Sequence, residues 1–483
     1  MITKNDYMTI DDLDGYYIYS QSVQRVNSSD LMMANYKNER FLIVKGDCKH
    51  SFFGEDKGSY RICPLRSSNC NVLRKYLPNY NPVPISRTKP SFGFGDRLGR
   101  GTYGHIKALE GSSAFPVIAQ QSMRELKLTG RTYEIVLEDA IWGAFQAGYR
   151  GYFAADGDHL KSKQEVIQAI SAGYSMITID CSQKLHPEIL RESNYDKIQV
   201  YLAYPNAIRK RVESIYLDKE LPFGKITQVD LAESFIMYSD AIQFIIEIYY
   251  DCLSSNPNIS LEISIDETDA PTTAFAHFFI ASELMQYNGV EVDSIAPRFV
   301  GEFQKGIDYI GNIENFESNL SLHHSISQLF GTKISVHSGS DKFSIFPSVS
   351  KITNNKFHIK TSGTSWVEFM RLVAMRNPSL FKDLYNYCLA NLDEAKKNYH
   401  VSVTRSSCPS LEEILEDKYA SSMDNNDIRQ LFHINYGNIL QHQEKSGASY
   451  KDHIFDILNN EESTYKDILV DHFNKHLNAL KLK

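Results

Sequence analysis

From residue 91 onward the chain repeats one device: a short apolar segment that stops on polar or charged residues. SFGFGDR, PVIAQQS, GYFAADGDH, SMITIDCS, LEISIDET, SIAPRF, KISVHSG and FHIKTSG follow one another in this way. Such segments suit strands buried on both faces. Between most of them lie stretches with apolar residues at three-to-four spacing, among them RTYEIVLEDAIWGAFQAG, KSKQEVIQAISAG, PTTAFAHFFIASELMQYNG and SWVEFMRLVAM, often closed by Gly or Asn-Gly. The longer AESFIMYSDAIQFIIEIYYDCL suits a buried crossover helix. Eight such units in about 280 residues predict an α/β fold, a (β/α)8 TIM-like barrel, with functional groups at the C-terminal ends of the strands. SFGFGDR and PVIAQQS are weak strand signals, which leaves a doubly wound open sheet as the alternative.

The repeat occupies residues 89–378, the expected catalytic barrel. Residues 1–88 hold short apolar stretches such as RFLIVKG and end in the proline-bearing LPNYNPVPISRTKP, as a cap packed on the barrel would. Residues 379–483 are polar and helix-like and predict a helical C-terminal extension, of which FHINYGNILQ is the piece expected to return to the main body. With 483 residues, 42% of them hydrophobic, the chain can bury a large core. A net charge of -8 without long basic runs argues against nucleic acid as a partner. Seven scattered cysteines without a CxxC pair predict reduced thiols. The polar opening MITKNDYMTIDDLDGYY is unlike a signal peptide, and no apolar run is long enough to span a membrane, so a soluble cytoplasmic protein is expected. None of these motifs encodes an oligomeric state.

Three strand ends carry chemistry. FAADGDHLK, 153–161, offers Asp156, Asp158 and His159 around the permissive Gly157. An imidazole and a carboxylate suit a divalent ion, and a second carboxylate left off the metal can serve as a base. Reading Asp158 as a helix cap accounts for one residue and not the cluster. ISIDETDAPTTAFAH, 263–277, crowds Asp266, Glu267 and Asp269, like charges that call for a cation or a shared proton. Asp269 also fits a cap for a helix opening at Pro271, and His277 within that helix fits a core role as well as ligation. His337 closes KISV, and the following SGSDK brings Ser338, Asp341 and Lys342, a turn able to hold a carboxylate or phosphate. The next unit ends on Lys360 before Thr-Ser-Gly-Thr, so the two ends together predict an anion subsite. Asp96 and Arg97 in FGDRLG and Arg298 in APRFVG would point toward the same mouth, although each also fits a structural ion pair. Lys342 and Arg298 imply an acidic substrate. No Walker A, G-x-S-x-G or H-E-x-x-H pattern is present.

SFGFGDRLG, IAQQSMREL with TGRT, FAADGDHLK, IDETDAPTTAFAHFFIASEL, FVGEFQKGIDYIG, HSGSDKFSI, KTSGTSW and LFHINYG closely resemble the bacterial tagaturonate/fructuronate epimerases. The resemblance implies a divalent-metal-dependent enzyme of hexuronate catabolism that interconverts D-tagaturonate and D-fructuronate at C4. On that pattern Asp158 looks like the proton acceptor, Glu267 the proton donor, and His159 and His337 metal ligands, with His277 chosen as the third. Asp96, Arg97, Arg298, Ser338, Asp341, Lys342 and Lys360 are the expected substrate-binding set. Such ligands accept Zn, Mn, Co, Ni or Fe. Because C4 is not next to the C2 ketone, retro-aldol cleavage of C3–C4 is the expected route, with direct proton transfer the alternative. A metal-dependent aldolase or isomerase of a related sugar acid uses the same parts, and a non-enzymatic sugar-acid sensor would need no such acids around its histidines.

Overall fold

The computed structural model describes residues 7–397, 399–443 and 449–483; residues 1–6 of the expected cap, and 398 and 444–448 of the expected C-terminal extension, lie outside them. The predicted segments form strands that are short and buried, Met176–Asp180 and Ser260–Ile265 at every position. Among the described residues nine strands pair in parallel as one sheet. Its order is Gln121–Ser122, Asp156–Leu160, Met176–Asp180, Ser260–Ile265, Ser294–Pro297, Lys333–Val336, Phe357–Thr361, Ser91–Phe94, Phe115–Val117. The last strand in sequence thus pairs with the first, Ile359 opposite Phe92. That wrap-around curls the sheet and excludes a doubly wound order, which reverses at its centre.

The result is an α/β fold with a curled parallel sheet of TIM-barrel-like kind. One expected feature is corrected. PVIAQQS is not one strand but two short ones, Phe115–Val117 and Gln121–Ser122, separated where Ala119 takes a φ of 64°. The first of them meets Ala154 through a single parallel bridge from Val117. The second pairs with Gly157 and Asp158. A left-handed backbone at a non-glycine residue interrupts the ladder there, so the sheet departs from a regular eight-stranded barrel.

Several helices between the strands start on side-chain caps, and two of them stop on a left-handed glycine. Ser162 and Glu165 form a capping box for Lys163–Ala172, which ends at Gly173 with φ 97°. Thr132 caps Tyr133–Gln146, and Asn312 caps Ile313–Phe330, closed by Gly331. Thr273, and not Asp269, caps the helix Ala274–Ala281.

An antiparallel sheet built from residues 7–64 lies against this body. Arg40 donates to Gln146 at 2.8 Å, and Arg150 donates to the Val23 carbonyl at 2.9 Å. From the C-terminal part, Asn426–Gln441 does return: the Phe432 carbonyl accepts from Trp366 Nε1 at 2.9 Å. Glu462–Ala479 packs along Thr102–Ala108, and its Tyr465 hydroxyl donates to the Ser365 carbonyl. All seven cysteines are unpaired thiols. Among the described residues no helix is long and apolar enough to cross a membrane.

Candidate active site

Strand alternation fills the inside of the curled sheet with polar groups. On Ser260–Ile265, Leu261, Ile263 and Ile265 face one way, so Glu262, Ser264 and the following Asp266 face the other. Phe357–Thr361 contributes Lys360 in the same manner. Lys360 Nζ lies 2.7 Å from Asp156, 2.7 Å from Asp158 and 2.8 Å from Glu262. Burial disfavours its charge, but the three carboxylates hold the ammonium well above the usual lysine range. Burial lifts the Asp156 carboxyl to about 6 against the pull of Lys360.

His159 reaches the mouth through a defect in its strand. Between the pairs Gly157–Ile177 and Leu160–Ile179 the strand has one residue more than its partner, and His159 takes a φ of 55°. Ser338, just after His337, is left-handed too, with φ 51°. Strained backbone beside both imidazoles marks a functional site.

The two rings stand 4.9 Å apart, and one donor atom each from His159, Asp266 and His337 lies within 4.8 Å of the others. Each imidazole is gripped through one nitrogen by a buried carboxylate. His159 Nδ1 is 2.7 Å from Asp158, and His337 Nε2 is 2.8 Å from Glu262. His337 Nδ1 faces Asp266 at 3.2 Å. An imidazole fixed by a carboxylate on one side and turned to a shared point on the other is how a metal-binding histidine is held. Burial works against charge on His337, but Asp266 and Glu262 outweigh it and push the imidazole up to about 10. Three buried carboxylates, Asp156, Asp158 and Glu262, share Lys360, and a fourth, Asp266, faces His337. The donor set fits a divalent ion.

A cavity of about 210 Å³ opens above this cluster. Seven of the predicted residues line it together: Asp158, His159, Glu267, Arg298, His337, Ser338 and Lys360. Glu267 sits at the rim, 3.5 Å from Lys161, which also contacts Asp180 at 3.1 Å. Arg298 turns a buried Nε with no hydrogen-bond partner into the structure. The sequence reading missed the other cations of the mouth. Lys305 donates to Ser338 Oγ at 2.7 Å, and Arg124 lies over the Tyr399 ring at 4.7 Å. Both line the cavity.

Five predicted residues have other work. His277 is fully buried in the helix layer with its Nδ1 3.1 Å from that of His323, and is not among the mouth-lining residues; the residue grouped with His159 and His337 is Asp266. Asp96 accepts from the backbone N–H groups of Leu98, Gly99 and Gly101 and closes its own loop. Arg97 is clamped by Glu125 at 3.1 Å and the His433 carbonyl at 3.0 Å, over the Tyr436 ring. Lys342 spends its donors on the carbonyls of Gln304, Ile307 and Ser340, and burial pulls its ammonium down to about 7. Asp341 lies 3.1 Å from both Arg429 and His472, and its backbone N–H donates to His476 Nε2 at 3.0 Å. With a guanidinium in place and that nitrogen already accepting, the buried Asp341, His472 and His476 group ties the C-terminal helix to the loop after His337.

A family model described as UxaE, tagaturonate epimerase, matches residues 19–480. The tagaturonate/fructuronate epimerase of Thermotoga maritima is 35% identical over 480 residues, 97% of each chain. The native crystal structure of fructuronate-tagaturonate epimerase UxaE from Cohnella laeviribosi superposes with a TM-score of 0.95 at 38% identity over 97% of each chain. A glycerol complex of the same enzyme gives 0.94 at 38% identity over 96% of each chain.

Proposed function

The chain belongs to the UxaE tagaturonate epimerase family, and from that premise we propose that it interconverts D-tagaturonate and D-fructuronate by inverting C4, with a divalent cation held by His159, Asp266 and His337. The observation that carries this reading is the approach of those three donor atoms to within 4.8 Å of one another. Zn, Mn, Co, Ni and Fe all accept such a nitrogen–oxygen set. A bound cation there supplies Lewis acidity to the carbonyl and hydroxyl oxygens of the substrate.

The side chains do the rest. Arg298, Lys305 and Arg124 draw the substrate carboxylate into the mouth. Lys360 and His159 both contact Asp158 Oδ1 and hold that carboxyl well below its usual range despite burial, so it stays an acceptor, with Oδ2 outside those contacts. Glu267, on another strand end, serves as the second proton carrier. In the retro-aldol route one of these acids takes the C4 hydroxyl proton. The C3–C4 electron pair passes toward the C2 carbonyl, leaving an enolate and an aldehyde. The aldehyde turns, the bond re-forms on its other face, and the proton returns to the C4 oxygen.

The test is turnover of both ketohexuronates after chelation and after metal readdition, in the native chain and in His159→Ala and His337→Ala. Activity restored by metal only in the native chain supports the reading, and metal-independent turnover contradicts it. Three-carbon products would make the enzyme an aldolase, and an aldose acid an isomerase. Run in deuterated water, the retro-aldol route leaves the hydrogen on C4 unexchanged; one solvent deuterium at C4 per turnover replaces it with direct proton abstraction.

A further inference from the structure

A second cleft, of about 700 Å³, lies between the N-terminal sheet, the loop after Ser91–Phe94, the helix Tyr133–Gln146 and the C-terminal helix Tyr450–Asn460. It is lined by six basic side chains: Arg40, Arg66, Arg97, Arg100, Arg131 and Lys451. Two are neutralised where they stand, Arg97 by Glu125 at 3.1 Å and Arg131 by Asp139 at 2.5 Å. Among the described residues no carboxylate forms an ion pair within 4.0 Å of the other four. Glu39 and Glu138 also reach the wall, and burial lifts the Glu138 carboxyl, which weakens its claim on a cation.

Of these four, Arg66 stacks on the Phe53 ring at 4.0 Å and Lys451 is exposed, whereas Arg40 and Arg100 keep donors to spare. Arg40 gives one N–H to Gln146 at 2.8 Å while its Nε is buried without a partner. Arg100 gives one to Asn459 at 3.1 Å. Burial pulls the Arg100 guanidinium down to about 10, and the like charge of Arg40 adds to the effect, against a weaker opposing pull from Glu462 and Asp139. Two guanidiniums lining one cleft, with donors to spare, form a seat for a multivalent anion. Phe41, Trp142 and Phe455 supply an apolar wall, and the cleft has the volume of a site for a whole small molecule.

We propose that this cleft binds an organic phosphate of nucleotide size, with its phosphate between Arg40 and Arg100 and its ring against the wall of Phe41 and Trp142. The cleft shares Arg97 with the lobe beside the mouth, so an occupant would touch the loop that borders the reaction site.

The full chain is titrated calorimetrically with AMP and with inorganic phosphate, alongside Arg40→Gln, Arg100→Gln and Lys451→Gln. Saturable one-to-one binding of AMP is expected, weakened by salt and about tenfold weaker in each arginine variant. Equal affinity for inorganic phosphate would make the phosphate alone the ligand, and tighter AMP would add the ring. Lys451 lies on a surface helix, so its variant reports on the cleft even if an arginine variant fails to fold. Absence of saturable binding at millimolar probe overturns the proposal. So does binding that all three variants leave unchanged, or AMP that D-tagaturonate displaces competitively. Because the readout is binding and not turnover, it fails independently of the proposed epimerisation.

Discussion

Replacing Glu262 by Gln separates the proposed metal holding from the chemistry. The side chain is fully buried, and its two oxygens face four donors: Lys360 Nζ at 2.8 Å, His337 Nε2 at 2.8 Å, Ser294 Oγ at 2.6 Å and Thr178 Oγ1 at 3.3 Å. Gln keeps the shape, and with its NH2 turned to Ser294, whose hydroxyl can accept, its oxygen still faces Lys360 and His337 but without the negative charge. His337 then loses the carboxylate that fixes its Nε2 proton and presents Nδ1. Losing such a partner costs about 10–100-fold in metal affinity, or about 1.4–2.7 kcal/mol. Lys360 keeps Asp156 and Asp158, both at 2.7 Å. The loss of global stability therefore stays below the roughly 3–5 kcal/mol of breaking a buried pair outright. The assay is competition for metal against a chromophoric chelator, with kcat measured at saturating metal and thermal unfolding followed in parallel. A metal Kd raised 10–100-fold, with kcat largely recovered at saturation, is expected. An unchanged Kd in a folded variant would refute the orienting role of Glu262.

The remaining expectations concern the proton carriers and the C-terminal tie. Glu267→Gln should lower kcat by about 10²–10⁴-fold with unfolding within about 0.5 kcal/mol of native, because its side chain is 45% exposed and its ion pair with Lys161 spans 3.5 Å; an unimpaired kcat would remove it from the reaction. Arg429→Met strips a buried guanidinium from Asp341 at 3.1 Å and Glu368 at 2.8 Å, and chemical denaturation should show a loss of about 3–5 kcal/mol, a loss under about 1 kcal/mol contradicting the network. Burial raises the Glu368 carboxyl, but His472 and Arg429 outweigh it and bring it down from 4.5 to about 2. Its stabilisation is thus complete above about pH 4.5 and lost as pH falls toward about 2, worth about 3 kcal/mol; Glu368→Gln should flatten that acid limb in urea unfolding, and an unchanged slope would contradict it.

Local pattern carried part of this site and long-range contact the remainder. Alternation along SLEISIDET already turns Glu262, Ser264 and Asp266 inward, so the place of Asp266 beside the histidines was legible, yet the motif drew attention to Glu267, one residue out of phase at the rim. His159 stands opposite in phase to Asp156 and Asp158, and only the extra residue in its strand and its left-handed backbone bring it to His337. A one-residue irregularity of that kind leaves no hydropathy signal. Asp341 and Lys342 were misread for another reason. Their turn has the composition of an anion nest, but a helix more than a hundred residues later supplies His472 and His476 to Asp341, and the 304–307 segment supplies carbonyls to Lys342. Asp96 needed no distant partner, since a carboxylate accepting three N–H groups within five residues is a loop closure. The curled sheet was legible from strand endings, whereas the break at Ala119 depended on one backbone angle.

Anomalous scattering from crystals of the Mn- or Co-loaded protein tests the metal centre most directly. A single strong peak about 2.0–2.2 Å from a ring nitrogen of His159, Nδ1 of His337 and a carboxylate oxygen of Asp266 is predicted. A peak at Asp341, His472 and His476, or none within reach of His159 and His337 in a metal-dependent active enzyme, would contradict it.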